Sequence, residues 1–322
     1  MSLRNALLGT SVDHVLAAQL AILRHFVRQP LTSVSTVLPA SGYVINCVDS
    51  GVTSRPDPGA GRTVVLAHGL GSGLGFFFPQ YDALLRSRGG SFDRVIGVDW
   101  LGFGASSRPN CRAPRNRWWS RSGVSLCRSR FETEANDAAA AFFVDSLEEW
   151  AVQLGLDRFT LVGHSLGGYL SARYAMAHPS RIEGLVLASP AGLTTAPTET
   201  AAKSPTERTP TSAVPWQLRL LDTAWSANVT PGQIFRAWSY LRRGGPPAVE
   251  GILRRRFGDR WPAHETALIA NYLYHITAQP GSGEFAMNSL LVPIFPRAGS
   301  ARLALSFGCF VVRRPHAVGH AL

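Results

Sequence analysis

The sequence predicts an α/β architecture: a mainly parallel sheet with crossover helices, a helical cap inserted into it, and an incomplete C-terminal end. Three observations carry this reading. From about residue 43, short β-branched runs alternate with longer stretches of helical period. The glycine-rich turns directly follow those runs, at the carboxyl ends of parallel strands where such sheets bind ligands. At 322 residues and 45 % hydrophobic content, the chain is large enough to bury a substantial core.

The elements follow in order. In residues 1–42, Leu8, Val12, Leu16, Leu20, Leu23 and Val27 recur at the spacing of an amphipathic helix within Leu7–Val27. Asp13, His14, Arg24 and His25 interrupt it, so it does not read as a membrane span. The helix is expected either to dock on the domain or to lie in a membrane interface. Organelle targeting also stays open, because Asp13 is the only acid before Asp49. Residues 43–192 read as the sheet core, with strands at Tyr43–Val48, Thr63–Ala67, Arg94–Val98, Phe159–Val162 and Gly184–Ala188 and helices at Glu132–Leu154 and Leu166–Ala177. Asn110–Arg130 is basic, turn-rich and aperiodic, the pattern of a surface insertion. Residues 193–285 open with a Thr/Pro/Ala linker and continue as a helical cap carrying Trp216, Trp225, Trp238 and Trp261, large aromatics expected in its core. Residues 286–322 form an atypical tail, with a further strand expected over Arg302–Val312.

The formal charge of +11 is almost wholly arginine, Lys203 being the only lysine, and no nucleic-acid reading motif accompanies it. Nucleic acid is therefore not expected as a partner. Seven arginines without an acid between Arg108 and Arg130 instead suit an anionic membrane or lipid-droplet surface, at about 1 kcal/mol per charge. Cys47, Cys111, Cys127 and Cys309 have no metal or redox spacing, which fits idle thiols in a reducing, cytoplasmic setting. No cofactor or metal is expected.

The chemistry centres on "LVGHSLGGYL". Gly163-His164-Ser165-Leu166-Gly167 lies between a strand and a helix, the setting of a nucleophile elbow that exposes a serine oxygen on a tight turn. The plain alternative for Ser165 is a helix N-cap. A serine attacking an acyl carbon needs backbone N–H groups aimed at the resulting oxyanion, typically worth about 3 kcal/mol each. His68-Gly69-Leu70-Gly71 follows the strand Thr63–Ala67 and has the form of an HG-type oxyanion loop, with Leu70 and Leu166 as N–H donors and His68 as a loop-shaping residue. A phosphate loop is excluded there, since no Gly-Lys-Ser/Thr follows.

Asp99-Trp100-Leu101-Gly102-Phe103-Gly104-Ala105-Ser106-Ser107-Arg108-Pro109 resembles the D-x-x-G-x-G-x-S-x-x-P loop of α/β-hydrolases. With "FFVDSLEEW", "GHSLGGYLSARYAMAHP", "LVLASPAGL" and "YLYHITAQPGSGEFAMN", residues 60–290 are similar to one branch of that family. It is the branch of the lipase-coactivator and N-acyl-phospholipid lipase proteins, the abhydrolase-domain 4/5-like group. The resemblance implies an α/β-hydrolase fold and lipid ester chemistry: phospholipase, lysophospholipase or lysophospholipid acyl transfer. The branch's coactivator lacks the serine and works by binding, whereas this chain keeps Ser165.

In the family an acid and then a histidine follow the serine, each after a later strand. Here no Asp or Glu follows Glu284, and the H-x-x-x-x-D acyltransferase signature is absent. His316 and His320 are the remaining candidate bases, and a truncated, frameshifted or alternatively spliced product is the expectation. Two functions stay open: a serine lipid hydrolase or acyltransferase, and a non-catalytic lipid-surface binding protein or lipase regulator.

Overall fold

The computed structural model describes residues 8–51, 62–85, 89–109, 128–191, 229–241, 244–258, 260–286, 290 and 309–313. Among these, seven strands make one sheet: β1 (Thr32–Val37), β2 (Val44–Asp49), β3 (Thr63–Ala67), β4 (Arg94–Val98), β5 (Phe159–His164), β6 (Ile182–Ala188) and β7 (Cys309–Arg313). Their order is β1-β2-β4-β3-β5-β6-β7. Strands β4, β3, β5 and β6 are parallel, with β1, β2 and β7 paired antiparallel at the two sides.

Central strands buried on both faces carry continuous apolar runs, and β3 (TVVLA) is buried throughout. The two-residue period sends Val65 and Ala67 into one layer and Val64 and Leu66 into the other. The first layer is filled by Phe143, Leu147 and Trp150 of α3 (Arg128–Gln153) with Leu170 and Tyr174 of α4 (Leu166–Ala177). These helices adopt the crossover positions that a parallel sheet requires.

The second layer holds α1 (Val12–Phe26) and α2 (Phe78–Leu84). Ser11 caps α1, its hydroxyl accepting from the His14 N–H at 3.3 Å. Val15, Ala18, Ile22 and Leu23 form the buried stripe of this helix, while Val12 and Leu20 point outward. The amphipathic face is thus turned about the helix axis from the stripe read in the sequence, and it is docked against the domain. Burying each large aliphatic side chain contributes roughly 1.5–3 kcal/mol, which favours the docked state. No helix among the described residues is long and apolar enough to cross a membrane.

The cap contributes α5 (Pro231–Leu241), α6 (Pro246–Phe257) and α7 (Ala263–Ala278). Trp238, half-buried, packs near Phe235, and Trp261, also half-buried, near the exposed Phe257, with ring centroids 5.9 and 5.7 Å apart. Trp216 and Trp225 lie outside the described residues.

Three elements differ from the sequence reading. Strand β1 was not anticipated, because an edge strand of sequence TSVSTV, largely exposed, has no apolar run to announce it. Arg128–Arg130 were read into the insertion but open α3; residues 110–127 lie outside the described residues. The described last strand, Cys309–Arg313, runs one residue past the expected end at Val312, while residues 302–308 lie outside the described residues; it is antiparallel to β6 with Cys309 opposite Ala188 and Arg313 opposite Gly184.

Candidate active site

Ser165 sits between β5 and α4 with φ 54° and ψ −118°, a left-handed-side conformation that is uncommon for a residue with a side chain. Neighbouring bonds hold it there. Its N–H donates to Ala188 O at 3.0 Å, and its carbonyl accepts from Ala191 N–H at 2.9 Å and Gly168 N–H at 3.0 Å. The glycines are required by close approach: a Cβ on Gly163 would strike the Gly167 carbonyl, and one on Gly167 would strike the carbonyls of Ala67 and His68. Strain of this kind persists where surrounding structure over-determines it, which is the hallmark of a functional turn.

The loop His68-Gly69-Leu70-Gly71 lies against this elbow. A Cβ built on Gly69 would be 3.0 Å from Ser165 Cβ and 3.1 Å from His164 O, so a side chain there would press on the elbow and glycine lets the two turns pack closely. Leu166 opens α4, where first-turn N–H groups have no intrahelical acceptor. The structure thereby brings Ser165, Leu70 and Leu166 into one neighbourhood. His164 is exposed at the end of β5, its imidazole held below the ordinary value by burial and then by His68.

His68 is almost fully buried, with Nδ1 2.8 Å from Gly69 O and Nε2 3.4 Å from Asp99 Oδ1. Asp99 is the hub beneath the loop. Its carboxylate accepts from Leu74 N–H (2.9 Å), Ala105 N–H (2.9 Å) and Asn46 Nδ2 (2.7 Å). Burial pushes this carboxyl up, but the His68 contact and the backbone donors outweigh it and hold it below the ordinary range. Gly104, at φ 51°, is needed because a Cβ there would run into that carboxylate.

These contacts assign a structural task to the D-x-x-G-x-G motif, which the sequence offered only as a family mark. Two further members were missed. Asn46 is buried and also accepts no apolar role, its Nδ2 donating to Gln19 Oε1 at 2.9 Å; its one signal was a polar residue within the run VINCV. Tyr272 of α7 reaches across the cap boundary to accept from Gly75 N–H at 3.1 Å, and nothing local in the sequence signals it.

Beside the loop, a cleft of about 380 Å³ opens between Leu70–Ser72, Phe103–Arg108 and the cap helices. Phe235, Val249, Ile252, Leu273 and Ile276 give it an apolar wall. Arg108 at its edge donates to the carbonyls of Gly102 (3.1 Å), Gly104 (3.1 Å) and Pro280 (2.8 Å), tying core to cap; burial lowers its guanidinium to about 10. Arg236 pairs with Glu284, which also accepts from Thr230 Oγ1 at 2.7 Å.

No described residue hydrogen-bonds to Ser165 Oγ through an imidazole or carboxylate. His316 and His320 lie outside the described residues. Strand β7 ends at Arg313 opposite Gly184, at the end of the sheet away from the elbow, whereas Cys309 stands opposite Ala188 at the elbow end.

Residues 62–221 match the family described as alpha/beta hydrolase fold. The chain is 35 % identical over 258 residues to a probable 1-acylglycerol-3-phosphate O-acyltransferase of Oryza sativa subsp. japonica, covering 79 % of this chain and 51 % of that protein. It is 34 % identical over 297 residues to the 1-acylglycerol-3-phosphate O-acyltransferase of Arabidopsis thaliana, covering 86 % and 62 %. To the (lyso)-N-acylphosphatidylethanolamine lipase of Homo sapiens it is 30 % identical over 241 residues, covering 74 % and 59 %. The chain therefore spans 51 % to 62 % of the length of these relatives. Its parallel sheet centre, its tight turn between β5 and α4 and its match over residues 62–221 together show that this chain has the alpha/beta hydrolase fold.

Proposed function

We infer that this chain is a lipid-surface binding protein or lipase regulator of the lipase-coactivator and N-acyl-phospholipid lipase branch. Its ligand is the acyl chain of a phospholipid or lysophospholipid, taken into the cleft between the oxyanion-type loop and the cap. The observation that carries this reading is the direction of β7. In this fold the triad acid and histidine follow strands whose carboxyl ends meet the elbow. Here β7, the strand described beyond residue 290, runs antiparallel to β6 and brings the chain at Arg313 to the opposite end of the sheet. The apolar wall of the cleft suits a hydrocarbon ligand.

A second reading, a serine lipid hydrolase or acyltransferase, is favoured by the strained backbone of Ser165. Its Oγ would attack the acyl carbon, the Leu70 and Leu166 N–H groups would stabilise the oxyanion, and His316 or His320 would have to take the serine proton.

One set of measurements separates the two. Turnover of a lysophospholipid is expected on the order of a millionfold below that of a complete relative, as for loss of a triad histidine. Fluorophosphonate labelling is expected to be slow and confined to Ser165, vanishing in Ser165→Ala. Binding of a fluorescent lysophospholipid should persist in Ser165→Ala and drop at least about tenfold in Ile252→Trp, which fills the cleft. Turnover at the level of ordinary lipases that is lost in His316→Ala or His320→Ala would replace the binding reading with the catalytic one.

A further inference from the structure

We propose that His25, His264 and Glu265 form a divalent transition-metal site, of the zinc class, that staples the N-terminal helix to the last cap helix. It is independent of the lipid reading above. His25 stands in the last turn of α1, and His264 and Glu265 in the first turn of α7. His25 Nε2 lies 3.2 Å from Glu265 Oε1, and the His25 and His264 rings meet edge to face with centroids 5.2 Å apart. One ligand atom from each of the three residues lies within 4.8 Å of the other two.

A hydrogen bond between His25 and Glu265 would need no second imidazole. The presence of His264 in the same cluster is what turns a surface pair into a donor set. Tetrahedral zinc with bonds of about 2.0–2.1 Å holds its ligand atoms roughly 3.3–3.5 Å apart. The longest separation here must therefore shrink by no more than about 1.5 Å. Both histidines are exposed and Glu265 is half-buried, so their side chains have solvent-side room to change rotamer toward a shared ion.

The donor chemistry narrows the ion. Two neutral imidazoles and one carboxylate, with a fourth position left to water, suit Zn²⁺, Co²⁺ or Ni²⁺, whereas Mg²⁺ and Ca²⁺ prefer all-oxygen shells. None of the three residues lines the cleft between the Leu70–Ser72 loop and the cap helices, so the site is a structural tie and not a second reaction centre. The tie joins residues 240 positions apart that meet only when α1 is packed on α7. An ion that binds this packed form and not the released one must stabilise it. Metal occupancy would thus reinforce the docking of α1 that its buried apolar stripe already provides.

The test uses the untagged full chain, stripped with a chelator and titrated with Zn²⁺ by calorimetry and with Co²⁺ by visible absorption. One ion per chain and a tetrahedral cobalt band are expected. His25→Ala and His264→Ala should each weaken binding at least about tenfold, the lower end of what outer-shell changes already cost. His178→Ala, on a different face beside Glu148, should leave it unchanged. Zn²⁺ should raise the melting midpoint of the wild type and not of His264→Ala. Absence of uptake overturns the proposal, as does uptake that survives both substitutions or is lost only in His316→Ala or His320→Ala.

Discussion

At the scale of single residues, the site is governed by positions where no side chain fits. Gly167 packs its Cα against the carbonyls of Ala67 and His68, and Gly69 packs its own against Ser165 and His164. A methyl group at Gly167 is expected to separate β3 from α4 locally, at about 1–3 kcal/mol, the usual penalty of overpacking. Gly167→Ala should therefore lower the chemical-denaturation midpoint and also abolish fluorophosphonate labelling at Ser165. A variant that loses stability but labels at the wild-type rate would show that elbow geometry survives the added bulk. The glycine spacing was legible in the sequence because the elbow is a local turn. The partners that enforce it were not, since Ala67 and His68 come from a strand nearly a hundred residues away.

Among the elements, the seam between α1 and α7 is the most sensitive to solution conditions. His275 is buried there, stacked on His14 with centroids 5.2 Å apart, its Nδ1 3.1 Å from Thr10 Oγ1. Gln279 donates to the same hydroxyl at 2.7 Å. Burial first, and then His14, lowers the His275 imidazole to about 4. Since the folded value lies below the unfolded one, the unfolded chain takes up the proton first as pH falls. Stability is thus complete above about 6.5 and declines toward pH 4, by on the order of 2–3 kcal/mol. Thermal melts at pH 7 and pH 5 should show this loss in the wild type and a smaller one in His275→Gln. Equal losses in both would assign the acid sensitivity elsewhere. Periodicity located α1 correctly, but the choice of which apolar residues face inward came from its partners, which is why Val12 and Leu20 ended outside and Val15 and Ala18 inside.

For the whole molecule, lipid surfaces remain the proposed setting, and the docking of α1 changes how that contact is made. Its apolar stripe is committed to the core, so adsorption to anionic vesicles must come chiefly from charge. The arginines at 112, 115, 117 and 121 lie outside the described residues and stay a proposal from sequence. In liposome flotation at low salt, neutralising these four is expected to abolish binding to anionic vesicles, and salt well above physiological should do the same by screening. Deleting residues 1–30 should instead destabilise the fold, because it removes Val15, Ile22 and Leu23 from the second core layer. Vesicle binding that resists high salt would point to a released α1 as the anchor.

By itself the sequence determined the alternation of strands and helices, the elbow at Ser165 and the loop at His68–Gly71. Each of these depends on residues adjacent in the chain: apolar runs, flanking glycines and a strand that ends where a helix begins. The tertiary structure decided the rest. Strand β1 exists because β2 offers it an edge, and β7 is antiparallel because of how it pairs with β6, a choice that the five residues CFVVR do not encode. Asp99, Asn46 and Gln19 became one buried hydrogen-bonded chain, and Tyr272 came to accept from Gly75 next to Asp99's partner Leu74, only when four separate segments closed together. Pairing and burial of this kind are long-range: their free energy appears only when distant segments share a low-dielectric interior, and no local pattern records which segments those are.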